Sequence, residues 1–317
     1  MLSGLSLTEV ALLLAGGLLL DLLLGEARRW HPLIGFGNLA NAIEHTFNRG
    51  RGRFARGAGA WLLAVMPITV ACAWLALQAG PWLHAVLLYL CVGLRSLRDH
   101  NLPIAAALRD DDIDLARALT ARIVSRDTAG ANATEVATAS AESLLENGND
   151  AVFGTLFWFV VAGGAGAILF RLANTLDAMW GYRSSRFLRF GWAAARIDDA
   201  LNFIPARLTA LSYVALAASG SDRRRAWHCW RSQAPAWSSP NAGPVMASGA
   251  GALGLALGGP ASYDGELEHR PPLGAGRRAT PDDIVRAWRL VARTALLWAI
   301  VIGLAACVKY AAGAADA

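Results

Sequence analysis

Glu142, Glu146 and Asp150 recur at four-residue intervals, and two further polar words follow them: Asn174-Thr175-Leu176-Asp177, then Asp198-Asp199 with Asn202 and Pro205-Ala206-Arg207. Arg126-Asp127-Thr128 stands upstream. On a helix the first three carboxylates form one acidic stripe, and like charges on one stripe repel unless a metal or an arginine compensates them. Oxygen-only ligands of this type suit Mg²⁺, which usually keeps waters and bridges to substrate phosphate. Asp198 and Asn202 repeat the spacing, and Asn174 with Asp177 supplies an i, i+3 pair. Each word alone reads equally as a solvated helix face or a cap. Together, each beside an apolar segment, they point to a functional site, because polar groups that close to lipid are costly.

Absences narrow the chemistry. Lys309 is the only lysine among 29 basic residues, which excludes a Walker A loop and a lysine Schiff base. There is no H-E-x-x-H, cysteine pair or Gly-x-Ser-x-Gly. Any phosphate must be held by arginine, backbone amides and a divalent cation. His31, ahead of Pro32, reads more readily as structural than catalytic, and Asp110-Asp111-Asp112 as a helix cap. Trp158, Trp180 and Trp192 read as membrane-interface aromatics.

The elements that must position these groups are apolar. Of 317 residues, 55% are hydrophobic and 17% charged, and mean hydropathy is positive. That suits an all-α, polytopic integral membrane protein with about 4–6 membrane-embedded helices and helical polar segments. Candidate spans are 7–24, 58–78, 82–94, 152–172 and 290–308, with 203–219 either a span or an in-plane amphipathic helix. The segment 7–24 reads as a retained anchor rather than a signal peptide, its Arg28-Arg29 flank cytoplasmic. The net charge of +5 and the cluster Arg49, Arg51, Arg53 and Arg56 fit cytoplasmic topology and contact with anionic lipid. No motif supports nucleic-acid binding. The four cysteines are far apart and read as small apolar residues.

The chain reads as one membrane-embedded domain, 1–317: N-terminal spans over 1–94, a polar-motif core with a membrane hairpin over 95–219, a cytoplasmic loop over 220–289 and a C-terminal span over 290–317. The Gly/Ala stretch 242–259 suits tight packing or close approach of backbone amides to a ligand. If 152–172 crossed the membrane fully, the polar words on either side of it could not form one site. Gly163, Gly164 and Gly166 interrupt its middle, so a re-entrant hairpin is expected there, which is acceptable only where protein buries the non-helical backbone.

Read in order, the words include Arg126-Asp127-Thr128, Glu142-x₃-Glu146-Asn147-x₂-Asp150 and Leu156-Phe157-Trp158. Asn174-Thr175-Leu176-Asp177, Asp198-Asp199-x₂-Asn202-x₂-Pro205-Ala206-Arg207, Ser239-Pro240-Asn241-Ala242-Gly243 and Leu257-Gly258-Gly259-Pro260 follow. Over roughly 20–275 the set resembles the adenosylcobinamide-phosphate synthase family of cobalamin biosynthesis (CobD/CbiB type). The resemblance implies a multi-pass enzyme of the bacterial inner membrane, its active face cytoplasmic. Such an enzyme joins aminopropanol or its phosphate to the free carboxylate of adenosylcobyric acid, with ATP and Mg²⁺. It further implies catalytic roles for Arg126, Asp127, Glu142, Glu146, Asp198 and Asp199, and substrate contacts for His31, Asn147, Asn174, Asp177, Asn202, Arg207 and Asn241. Glu142, Glu146 and Asp150 would hold the metal. Partners would be the corrinoid, the amine and membrane lipid, with a homo-oligomer or a complex with other late corrinoid enzymes left open. The family usually has Trp-Pro-Glu where this chain has Pro244-Val245-Met246, so a non-catalytic membrane regulator is an alternative, as is a transporter.

Overall fold

A computed structural model describes residues 2–26, 31–263 and 265–315; Arg28 and Arg29 of the expected basic flank, and Ala27, lie outside them. The helices are α1 (Leu7–Leu24), α2 (Pro32–Phe47), α3 (Arg53–Ala79), α4 (Trp82–Cys91), α5 (Leu94–Arg109), α6 (Ile113–Thr120) and α7 (Ala133–Asn147). A π-helical turn, Gly148–Phe153, leads into α8 (Gly154–Trp180), followed by α9 (Trp192–Ala215), α10 (Gly220–Gln233) and α11 (Ala242–Leu253). Strands β1 (Leu255–Tyr263), β2 (Glu266–Gly274) and β3 (Arg277–Arg278) precede α12 (Pro281–Ala315). The protein is therefore predominantly helical, as the composition requires. The segment 220–289, expected as a cytoplasmic loop, holds α10, α11, a small sheet of order β2-β1-β3 and the start of α12.

Among the described residues, four helical stretches are long and apolar enough to cross a membrane: Leu7–Leu24, Arg53–Ala79, Ala133–Trp180 and Pro281–Gly313. Of the most apolar window, only 28%, 28% and 22% is buried in α1, α3 and α12, against 56% in Ala133–Trp180. The first three therefore turn leucines outward, Leu19, Leu63 and Leu304 among them, as lipid contact demands. Ala133–Trp180 is instead the stretch most buried by the protein itself. The expected short span 82–94 is the ten-residue α4, too short to cross about 30 Å of hydrocarbon.

The packed stretch folds back on itself. Within α8, Ala162 (φ −138°, ψ 21°) and Gly163 (φ 63°, ψ −153°) leave helical geometry. A Cβ on Gly166 would run into the Trp158 carbonyl, and one on Gly154 into the Phe170 ring. Residues 154 and 170 would lie about 24 Å apart along a continuous helix, so these contacts require two antiparallel arms with their turn at Ala162–Gly163. The turn's exposed amide is satisfied from α4: the Gly164 N–H donates to His84 Nδ1 at 2.9 Å. Gly163 occupies a conformation open essentially to glycine alone. The chain reversal expected from the glycine run is present, and Gly163 and Gly164 are buried by protein.

The contacts divide the chain into two compact units. Unit 1 comprises 1–93, 150–202 and 299–317. Its core joins Phe36 and Ala40 of α2, Trp61 and Ala64 of α3, Leu176 and Trp180 of α8, and Phe190. Trp180, expected at an interface, is instead 1% exposed and packs edge-on against Phe190 with ring centroids 5.1 Å apart, a geometry worth about 0.5–1.5 kcal/mol beyond burial. Trp158 is also drawn inward, its Nε1 donating to the Leu201 carbonyl at 3.0 Å; only Trp192 of the three remains exposed. The buried Glu44 carboxylate fastens α2 to the segment before α9 by accepting from Arg186 Nε and Nη2 at 3.0 and 2.5 Å.

Unit 2 comprises 94–149 and 203–298. Every residue of α11 from Ala242 to Ala250 is buried. Its small side chains let it lie against Ala226 of α10 at Gly251, and against Leu145 of α7 and Tyr213 of α9 at Gly249. The Gly/Ala stretch thus serves close packing over α11. Strand β1 pairs antiparallel with β2, with a bulge between Gly258 and Gly259, both at positive φ.

Candidate functional site

In unit 1 the hairpin decides which polar residues meet. Its turn at 162–163 returns the chain, so Asp150, twelve residues before Ala162, shares an end with Asn174, twelve after it. Helix α9 completes the group. Asn202 Nδ2 donates to Asp150 Oδ1 at 3.1 Å and to Asp198 Oδ2 at 3.3 Å. Asn174 Nδ2 donates to Asp198 Oδ1 at 3.3 Å. Two amides thus orient two carboxylates. Burial, then the charges of Asp150 and Asp177, push the Asp198 carboxyl well above its ordinary range. Asp199, on the more open side of α9, pairs with Arg196 at 3.4 Å; burial raises its carboxyl too, against the lowering influence of Arg196 and Arg183. Arg171, inside the apolar run 152–172, lies in this group with Nη1 3.5 Å from Asn174 Oδ1. An arginine inside a membrane-grade helix was the signal for it.

In unit 2 Glu142 is 2% exposed and held from three sides. Arg126 Nη2 donates to Oε2, Arg270 Nη1 and Nη2 donate to Oε2 and Oε1 at 3.0 and 3.3 Å, and the Gly258 N–H donates to Oε1 at 2.7 Å. The β-bulge is what turns that amide off the ladder and onto the carboxylate, and a Cβ at Gly258 would strike the Pro271 carbonyl. Burial lowers the basicity of Arg270, but the Glu142 carboxylate outweighs it and holds the guanidinium above its ordinary range. Arg270 lies in β2, 128 residues from Glu142 and with no local spacing relation to it.

The expected metal triad of Glu142, Glu146 and Asp150 is corrected on two grounds. Glu142 is neutralised by two guanidinium groups, and the chain leaves α-helical spacing at the π turn 148–153, so the four-residue stripe does not continue to Asp150. Among the described residues no three His, Cys, Asp or Glu side chains converge to hold a metal ion. Asp150 and Asp198, with their bridging amides, supply oxygen donors that suit a cation retaining part of its water shell.

The remaining expected residues have specific positions. Asp127 joins the loop before α7 to the β1–β2 hairpin, accepting from the Gly265 N–H at 2.8 Å while its own N–H donates to the Ser262 carbonyl. Asn147 donates back to Ser143 at 3.0 Å, and Glu146 is half-buried beside it on α7. Arg207 meets Asn241: Nη1 donates to Asn241 Oδ1 at 2.7 Å and Nη2 to the Pro240 carbonyl at 3.0 Å, so this guanidinium locks the Ser239-Pro240-Asn241 turn ahead of α11. His31 caps α2, with Nδ1 accepting from the Leu33 N–H at 3.2 Å, and Asp112 caps α6. Met246 is 2% exposed in the apolar α11.

A family model described as CobD/Cbib protein matches residues 14–291. A relative from Stutzerimonas stutzeri (strain A1501), named cobalamin biosynthesis protein CobD, is 55% identical over 298 residues, covering 93% of this chain and 97% of the relative. One of the same name from Chromobacterium violaceum is 54% identical over 310 residues, covering 94% and 97%. A third, from Mycobacterium tuberculosis (strain ATCC 25618 / H37Rv), is 39% identical over 279 residues, covering 86% and 88%. No solved structure matches the chain.

Proposed function

We propose, from the premise that this chain belongs to the CobD/CbiB family of cobalamin biosynthesis proteins, that it is the ATP-dependent ligase joining aminopropanol or its phosphate to the free carboxylate of adenosylcobyric acid. The product is adenosylcobinamide or its phosphate. The observation that carries this reading is the pair Asp150 and Asp198 bridged by Asn202, an acceptor group of the kind that holds an ammonium or a hydrated Mg²⁺.

A carboxylate is a poor acyl donor until phosphorylated, which is the chemistry MgATP supplies when bound. Asp150 and Asp198 would hold the metal or the amine, with Asn174 and Asn202 fixing their orientation. The raised affinity of Asp198 for a proton suits it to take the one released when the amine nitrogen bonds to the acyl carbon and phosphate departs. The outward leucines of α1, α3 and α12 support residence in the bacterial inner membrane, and the arginine cluster 49–56 supports a cytoplasmic active face.

One observation favours a second reading, a non-catalytic membrane regulator: Met246 is buried among apolar residues, at the position where the resemblance leads one to expect a glutamate. Complementation of a strain lacking the synthase separates the two. Growth on cobyric acid as well as on cobinamide is expected for the ligase. Growth on cobinamide alone, with the protein well expressed in the membrane, supports the regulator.

A further inference from the structure

A cavity of about 550 Å³ in unit 2 opens between the first half of α7 and the β1–β2 hairpin, a size that suits a small molecule. Three guanidinium groups line it, from Arg126, Arg270 and Arg278. The first two are nearly buried, with side chains 14% and 9% exposed, and share the single carboxylate of Glu142. That trio carries one net positive charge and Arg278 adds a second, while Asp127 and Glu135 balance them over the cavity as a whole. The other two carboxylates at the cavity, Asp127 and Glu135, are each turned onto a backbone amide, of Gly265 and Asn132, both at 2.8 Å. Arg278 is exposed and enters no ion pair among the described residues.

Thr134 and Thr138 also line the cavity, one turn apart on α7 and in the same register as Glu142, so their hydroxyls lead towards the arginines. The Asn132–Glu135 capping box takes up the amides of Asn132 and Glu135 at the start of α7. Fixed guanidinium groups beside hydroxyl donors match the tetrahedral oxygens of a phosphoryl group, with no lysine required.

We propose that this cavity binds the phosphoryl group of a phosphorylated small-molecule substrate. The inference rests on the ligase reading only in naming two sources of that chemistry: the terminal phosphates of a nucleoside triphosphate, or the O-phosphate of an amino alcohol. The test is isothermal titration calorimetry on the full chain in detergent micelles. The probes are inorganic phosphate, ATP and aminopropanol O-phosphate, with adenosine and aminopropanol as phosphate-free controls.

Phosphate-bearing probes are expected to bind and the controls not to. Arg278→Gln is expected to weaken that binding about tenfold, the effect of one lost charge-assisted hydrogen bond. Thr138→Val should weaken it in the same direction, with melting temperatures unchanged, and Arg51→Gln should bind like the wild type. Weakening confined to ATP identifies the nucleotide as the occupant; weakening confined to aminopropanol O-phosphate identifies the amine. Unchanged affinity in both cavity variants, or no phosphate-dependent binding, overturns the inference. A chain that binds phosphate here but forms no amide keeps the inference and loses the ligase reading. A working ligase with unaffected variants does the reverse.

Discussion

Asn202 donates a hydrogen bond to Asp150 across 52 residues of chain, at 3.1 Å. The contact exists because α8 reverses at Ala162–Gly163. A continuous helix would carry Asp150 and Asn174 about 36 Å apart, and the carboxylate pair would have no second amide.

The reversal itself is testable. Cysteines at Phe157 and Leu169 would stand about 18 Å apart on a straight helix and about 8–10 Å apart on packed arms. A short bis-maleimide is expected to link them within one chain; failure to link, with both positions labelled singly, would falsify the hairpin. Gly163→Ala places a Cβ 2.6 Å from His84 Nδ1 in a conformation that costs a non-glycine residue about 1–3 kcal/mol. His84→Ala leaves the Gly164 amide without its acceptor, for about 1–3 kcal/mol. Both should lower the melting temperature in detergent.

Glu142→Gln removes the anion shared by Arg126 and Arg270. Breaking a buried pair from one side costs about 3–5 kcal/mol, so a large fall in thermal stability is expected. Arg270→Lys should not restore the wild-type value, because an ammonium cannot reproduce the two-pronged contact. A variant that melts like the wild type would mean that Glu142 is held by something other than these arginines.

Asp198→Asn should separate stability from activity. Burial first, then Asp150 and Asp177, raise the Asp198 carboxyl above its unfolded value, so the native state binds the proton more readily than the unfolded chain. Its stability contribution is fully present below the unfolded pKa of about 3.9 and is lost as pH rises through the folded pKa. Asparagine removes that loss. At pH 8 the variant should melt at or above the wild-type temperature, the gap closing as pH falls, while ligation is abolished. A lower melting temperature at pH 8 would show that the ionised carboxylate is stabilising.

Arg207→Gln tests whether this guanidinium is structural. It loses the contacts to Pro240 and Asn241, which should cost about 1–3 kcal/mol and expose the 239–241 turn to proteolysis. An unchanged melting temperature with a raised KM would return Arg207 to the substrate.

Much was legible from residue order alone. Apolar runs set the helices because backbone groups in lipid must be satisfied within their own segment. Asp112 capped its helix as expected, and the glycines at 163, 164 and 166 marked the one place where an apolar helix could turn. The single lysine restricted phosphate chemistry to arginine. These are local properties, carried by composition and near-neighbour spacing.

What the chain's order could not express was who answers whom. Four-residue spacing put Glu142 in a metal stripe, but Arg270, 128 residues away, neutralises it together with Arg126, and a π turn ends the spacing. Arg207 faced a substrate on paper and a turn in the fold. A buried charge takes whichever partner tertiary packing brings within hydrogen-bond reach, and that choice is made by the β-bulge at Gly258 and the reversal at Gly163. The sequence determined which residue types were at hand for chemistry; packing decided which partner each carboxylate met.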